Sequence, residues 1–148
     1  MADVPDVNVL VSLTWPNHVH HERAHRWFGA RRTPWATTPV TESGFVRVSS
    51  NPAAIPTAVT PPEALALLVR MRASKRHVFL PDDVPGVVGA EGIDPARLLS
   101  YRMVTDAHLL ALARRHRARL VTFDRAVAAL GGAGARDVLV VSPPGRPG

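Results

Sequence analysis

The chain has 148 residues, of which 46% are hydrophobic and 20% charged, the size and composition of one globular domain. It has no cysteine, which excludes disulfide bonds, thiolate zinc sites and cysteine nucleophiles. A net charge of +6 suits a phosphate-rich partner, but it also fits arginines on solvated helix faces. The first residues lack the basic start of a signal peptide, and no apolar stretch is long enough to span a bilayer, so we expect a cytoplasmic protein without a membrane partner.

Short apolar segments alternate with helical patterns along the chain. The first apolar run, 4–13, fits a strand or a helix equally well. Periodicity then predicts helices over 18–32, 39–49, 61–75, 106–117 and 124–130, and strands over 35–37, 77–80, 120–123 and 138–141. Thr38, Thr60 and Thr105 are the predicted caps of the helices that begin at 39, 61 and 106. This alternation implies an α/β fold with a central, mainly parallel sheet of four to five strands. We expect one domain over 1–142 and a disordered C-terminal tail over 143–148.

Four acidic residues stand in apolar surroundings. Asp6 interrupts the first apolar run, and Glu42 shares a helical row with apolar residues. Asp106 falls within the apolar stripe of its helix, and Asp124 directly follows a predicted strand. Each also has an ordinary explanation, as a helix cap, a turn residue, a first-turn carboxylate or an exposed helix residue.

These acids become informative when they are taken together, because reactive groups in parallel sheets gather beyond the carboxyl ends of the strands. Carboxylates that meet there repel one another unless a divalent cation lies among them. Oxygen ligands suit Mg²⁺ or Mn²⁺ better than zinc or copper, and such an ion polarises a phosphoryl oxygen. A basic surface around an acidic pocket therefore indicates a nuclease.

The sequence around these acids resembles the four acidic blocks of PIN-domain ribonucleases. More narrowly, it resembles the VapC toxins of bacterial type II toxin–antitoxin pairs, particularly those of the mycobacterial type. The resemblance runs in order from about residue 4 to about residue 141, and the blocks that carry it are Asp6–Leu10, Thr41–Arg47, Val104–Leu109 and Val121–Arg125.

The resemblance implies a three-layer α/β/α sandwich in which Asp6 ends the first strand and 7–13 are mostly helical. It implies an endoribonuclease that depends on Mg²⁺ or Mn²⁺, forms a homodimer and is neutralised by a cognate antitoxin. Its expected substrate is structured RNA, a tRNA or an rRNA, whose cleavage arrests translation. The catalytic metal ligands would be Asp6, Glu42, Asp106 and Asp124, with Asn8 and Thr122 hydrogen-bonding around them.

A zinc metallopeptidase is one alternative, because His21, Glu22 and His25 fit the H-E-x-x-H pattern. The two histidines lie one turn apart on one helix face. Glu22, however, projects on the polar side, and no later segment offers an obvious third ligand. A solvated helix rich in His and Arg therefore explains the motif better.

A non-catalytic RNA-binding module is the other alternative. Arg114, Arg115 and Arg117 form a basic cluster near a helix end that can contact RNA. Cations at a helix C-terminus are also common for purely structural reasons. A simple binder does not need acids in apolar settings, and with aromatic residues at only 5% no stacking platform is visible in the sequence.

Overall fold

A computed structural model of the chain describes residues 1–85, 93–132 and 136–143. The strands are β1 (Asp3–Pro5), β2 (Trp35–Thr37), β3 (His77–Phe79), β4 (Arg119–Thr122) and β5 (Val138–Val140). The helices are α1 (Val7–Thr14), α2 (His21–Ala30), α3 (Pro39–Ser49), α4 (Pro61–Arg72), α5 (Val104–Arg115) and α6 (Arg125–Leu130), and two 3₁₀ turns cover Pro95–Arg97 and Tyr101–Met103. The predicted alternation of strands and helices is confirmed.

The five strands form one sheet in the order β3-β2-β1-β4-β5, and every neighbouring pair is parallel. The chain therefore starts at the centre and builds outward on one side through β2 and β3. It then adds β4 and β5 on the other side of β1. The order reverses between β1 and β4, and such a reversal leaves a crevice at the carboxyl ends of the two strands.

Both faces of the sheet are buried at its central strands β2, β1 and β4. Val4, Ala36 and Leu120 belong to a core that includes buried side chains of α5 and α6. Trp35, the neighbour of Ala36 on β2, belongs instead to a second core with buried residues of α1, α3 and α4. Successive strand residues point to opposite faces, so the alternation places helices on both sides. The three-layer α/β/α fold is confirmed.

The apolar run that the sequence left open divides at Asp6. The strand β1 ends at Pro5, and Asp6 then caps α1, with its Oδ1 accepting the Val9 N–H at 2.9 Å. A carboxylate in extended conformation is a good N-cap, because it satisfies a backbone donor that has no partner within the helix. The strand-to-helix switch implied by the family resemblance is therefore confirmed.

The starts of two helices differ from the sequence prediction by more than one residue, and α2, α4 and α5 end two or three residues earlier than predicted. Helix α2 begins at His21 rather than at residue 18, because the residues before it form turns. Helix α5 begins at Val104, so the prediction of Thr105 as its cap is wrong. The turn Tyr101–Met103 runs directly into this helix, and Met103 already has near-helical backbone angles. A helix entered from a 3₁₀ turn does not need a polar cap at its start.

The structure describes only the first residue of the predicted C-terminal tail. Residues 144–148 of the predicted tail lie outside the described residues, so the expectation for that tail stays a prediction. Within the described residues, no helix combines the length and the apolar character needed to cross a bilayer.

Candidate active site

An open pocket of about 600 Å³ lies at the reversal of strand order, and Asp6, Asp106 and Asp124 line it. Asp6 directly follows β1, Asp124 lies two residues beyond the end of β4, and Asp106 is in the first turn of α5. The structure thus brings three of the four candidate acids together at the carboxyl edge of the sheet.

Asp6 and Asp124 are joined by the buried hydroxyl of Thr122. The Thr122 side chain hydrogen-bonds to the Asp6 carboxylate, and its Oγ1 accepts the Asp124 N–H at 3.1 Å. Asn8, which also lines the pocket, donates its backbone N–H to Asp6. These bonds hold the two carboxylates in fixed positions relative to the sheet.

The electrostatics of the pocket oppose the ionisation of its carboxyl groups. Burial raises the pKa of Asp6 from 3.8 to about 6, against the lowering effect of hydrogen bonds from Val9 and Thr122. Burial also raises the pKa of Asp106 from 3.8 to about 7, and the charges of Asp6 and Asp124 add to this shift. Carboxylates that repel one another in this way are stabilised by a cation placed between them.

The donor set fits a hard divalent cation. All three acids offer only oxygen, and Asp6 and Asp124 each use one oxygen to cap a helix, the latter by accepting the Ala126 N–H at 2.8 Å. Within 1–85, 93–132 and 136–143, no three His, Cys, Asp or Glu side chains form a ready-made metal cluster. Mg²⁺ keeps several of its water ligands when it binds to proteins, so it does not need a preassembled cage of protein ligands.

Glu42, the fourth predicted acid, lies elsewhere. Its Oε2 accepts a hydrogen bond from Thr37 Oγ1 at 2.9 Å, and its Oε1 pairs with Arg72 at 3.2 Å. It lines a neighbouring groove between α3 and α4, which shares Arg47 with the aspartate pocket but does not include the three aspartates. The structure therefore differs from the expectation that all four acids would converge.

The rotation of α3 explains the position of Glu42. Gly44 is buried against α1, so closely that an added Cβ would lie 2.5 Å from Val7 Cγ2. Residues two apart on a helix point about 200° apart, so Glu42 faces away from α1. Arg47, three residues after Gly44, shares its face and lines the aspartate pocket. Helix α3 thus contributes a guanidinium to the pocket where the sequence predicted a carboxylate.

The arginines at this pocket are not those that the sequence indicated. Arg23, Arg47 and Arg102 line it, and they come from α2, α3 and a 3₁₀ turn. No spacing in the sequence marks three residues that only the tertiary fold brings together.

The basic cluster singled out from the sequence is at the other end of α5 from Asp106. At that end, Arg114 forms a salt bridge with Asp137, and the Arg115 Nε lies 3.7 Å from Asp83 Oδ2. Arg117 follows the helix in a left-handed backbone conformation, with φ of 52°. An RNA contact by Arg114, Arg115 and Arg117 stays a prediction.

The family follows from comparison with known proteins. The model of the PIN domain matches residues 4–133. The chain belongs to the PIN-domain family. It is 50% identical over 140 residues to ribonuclease VapC39 of Mycobacterium tuberculosis, covering 94% of this chain and 100% of the relative. It is 52% identical over 123 residues to ribonuclease VapC38 of the same species, covering 82% and 84%. Within the PIN-domain family, it is thus of the VapC ribonuclease type.

Solved structures of lower identity share the same fold. A crystal structure of M. tuberculosis VapC20, described as a sarcin-ricin loop cleaving toxin, superposes with a TM-score of 0.68 at 16% identity, covering 88% of this chain and 95% of that one. A toxin–antitoxin complex from Klebsiella pneumoniae gives 0.58 at 18% identity, covering 95% and 98%. At such identities the likeness establishes the PIN fold alone.

In this PIN domain the H-E-x-x-H motif has a structural role. The His21 Nδ1–H donates to the Ser12 carbonyl and the His25 Nε2–H to the Leu13 carbonyl, each at 2.7 Å. These carbonyls belong to the last turn of α1, where backbone acceptors lack partners within the helix. Both ring donors are thus used by α1, and Glu22 is exposed. The zinc peptidase alternative therefore has no support in the structure.

Proposed function

We propose that this VapC-type PIN domain is a Mg²⁺- or Mn²⁺-dependent endoribonuclease toxin that cuts a structured RNA, a tRNA or an rRNA, and so inhibits translation. The observation that carries the proposal is the meeting of Asp6, Asp106 and Asp124 at the reversal of strand order. Dependence on a divalent metal is general among ribonucleases of this type. The named target of VapC20, the sarcin-ricin loop, supports an RNA with defined structure as the substrate.

The three aspartates would hold the cation, Asp6 and Asp124 through the oxygen that does not cap a helix. A divalent cation supplies Lewis-acid stabilisation of the phosphoryl oxygens and favours the ionisation of water at neutral pH. Thr122 fixes the spacing of Asp6 and Asp124, while Asn8 supports Asp6 through its backbone N–H. Arg47 and Arg102 offset the negative charge that the RNA backbone meets at the pocket.

Glu42 takes a different part in this proposal from the one that the sequence suggested. With its carboxylate bonded to Thr37 and Arg72, it ties α3 to the ends of β2 and α4 rather than contributing an oxygen to the aspartate pocket. We therefore keep Asp6, Asp106 and Asp124 as the ligand set, and treat a catalytic role for Glu42 as the prediction that a Glu42→Gln variant tests.

We also propose a cognate antitoxin, a homodimer and a cytoplasmic location. The toxin–antitoxin complex among the structural relatives supports an antitoxin partner. Exposed apolar side chains supply surface that a protein partner or a second copy would cover; they include Leu65 and Val69 of α4 and Val78 and Phe79 of the edge strand β3.

Cleavage of total tRNA and of purified rRNA tests the enzymatic part of the proposal. We expect cleavage with Mg²⁺ or Mn²⁺ that stops on adding a chelator, is lost in Asp6→Asn and is retained in Glu22→Gln. Asn can still cap α1, so the Asp6→Asn variant keeps the local fold. Cleavage that resists the chelator would overturn metal dependence, and RNA binding without any cleavage would favour the non-catalytic module instead.

A further inference from the structure

A row of side chains stands at the edge of the aspartate pocket, and we call it the Phe123 row. The rings of His20 and Phe123 lie 4.7 Å apart, and the Arg23 guanidinium carbon lies over the Phe123 ring, 4.2 Å from its centroid. All three side chains line the same pocket as Asp6, Asp106 and Asp124. Phe123 stands between Thr122 and Asp124 in the sequence, so it holds the row beside the carboxylates.

Arg23 is the charged member of this row. Its Nε is buried without a hydrogen-bond partner, and among the described residues no carboxylate forms an ion pair with it. Burial lowers the pKa of Arg23. A partly desolvated guanidinium with an unused donor is unfavourable in the free protein, and an anion entering the pocket relieves that cost.

The contact with Phe123 also orients the guanidinium. A guanidinium stacked on an aromatic ring uses its face for the contact and keeps the N–H donors along its edge. Paired donors along one edge match two oxygens of a phosphate group. Burial and the charge of Arg23 lower the pKa of His20, so at neutral pH Arg23 supplies the positive charge of the row.

We propose that Arg23, positioned by Phe123, binds a backbone phosphate of the RNA next to the three aspartates and so sets the path of the strand across the pocket. This inference rests on the proposed function, since it gives the substrate of that site a fixed contact. The carboxylates by themselves repel the RNA backbone, and Arg23 offsets that repulsion on the side formed by α2 and β4.

Binding of a short, fluorescein-labelled, single-stranded RNA of mixed sequence tests the proposal. The assay uses the full chain carrying Asp6→Asn, with a chelator, so that no cleavage intervenes. We expect Arg23→Ala to weaken binding about tenfold or more and to reduce the slope of log K against log salt by about one. Arg23→Lys, which keeps the charge without the paired donors, should recover part of the affinity, and Phe123→Leu should lose part of it.

Arg26→Ala is the matched control, because Arg26 lies exposed on the same helix and does not line the pocket. It should change affinity less than twofold. Thermal unfolding separates binding from folding. A structural role for Arg23 predicts a less stable Arg23→Ala protein, whereas an unpaired buried donor predicts equal or greater stability.

Equal affinities and equal salt slopes for Arg23→Ala and Arg26→Ala would overturn the inference. Its failure is distinguishable from failure of the proposed function. A wild-type protein that cuts RNA while Arg23→Ala binds normally overturns the Arg23 assignment alone. If the protein cuts no RNA but needs Arg23 to bind it, the proposed phosphate contact stands and the proposed nuclease function is overturned.

Discussion

Asp106 stands where burial and two neighbouring aspartates all oppose its ionisation. Asp6 is 7% exposed and faces the same penalty, relieved only in part by its hydrogen bonds. A fold that keeps carboxyl groups in such positions is less stable at neutral pH than one with neutral side chains there. Perturbed groups of this kind gather at functional sites, where ligand binding offsets the loss.

This arrangement predicts how stability depends on pH. Because the pKa values of Asp6 and Asp106 are raised to about 6 and about 7, the folded chain keeps protons that the unfolded chain releases. The contribution of these two carboxyl groups to the free energy of unfolding in a chelator should therefore fall as pH rises from about 4 to about 7. Histidines whose pKa is lowered act in the opposite direction, so comparison with a variant is needed to isolate the effect. Asp106→Asn removes the part of this destabilisation that comes from Asp106. It should therefore raise the Tm at pH 8, by about 2–4 °C for each kcal/mol gained in the free energy of unfolding.

Near pH 4 the wild type and Asp106→Asn should unfold at the same temperature, because the wild-type carboxyl group is then protonated. Adding Mg²⁺ at pH 8 should raise the Tm of the wild type more than that of the variant. If Asp106→Asn has the same Tm as the wild type, or a lower one, at pH 8 in a chelator, the pocket does not oppose the ionisation of Asp106.

At the scale of the elements, the contact between α1 and α3 decides which side chains reach the pocket. Gly44→Ala would place a Cβ against the β-branched, stiff side chain of Val7. We expect it to destabilise the fold by about 1–3 kcal/mol, measured by chemical unfolding. RNA cleavage should also fall, because Arg47 and Val7 both line the pocket and shift with the helices.

Gly29→Ala is the control for this prediction. Gly29 lies on α2, and an added Cβ meets nothing within 4 Å. The substitution should be neutral or stabilise the fold by up to about 1 kcal/mol, since alanine favours the helix. Equal effects at the two glycines would mean that the close approach of α1 and α3 does not constrain the fold.

The sequence predicts elements better than it predicts their rotations. The caps at Thr38 and Thr60 and the alternation of strands and helices depend on local chemistry, and the structure agrees with them. The position of Arg47 at the aspartate pocket and of Glu42 against Thr37 and Arg72 depends on Gly44 meeting Val7, a contact between residues distant in the chain. The Phe123 row was missed for the same reason, because α2 and the end of β4 meet only in the folded molecule.

At the scale of the whole molecule, the buried acids at the two ends of β1 differ in their ion-pair partners. Asp3, 1% exposed, forms a two-pronged pair with Arg119 of β4, at 3.0 and 3.1 Å. Asp6, at the carboxyl end of the same strand, forms no ion pair with a cationic side chain of the described residues. The strand reversal beside it opens a crevice where an outside cation can take that place.

Binding of Mn²⁺ to the free protein, followed by titration calorimetry or by electron paramagnetic resonance, tests this account most directly. The wild type should bind the ion, and Asp6→Asn, Asp106→Asn and Asp124→Asn should each weaken binding at least tenfold, while Glu42→Gln binds as the wild type does. A wild type that binds no Mn²⁺, or a Glu42→Gln variant as impaired as the three aspartate variants, would contradict it.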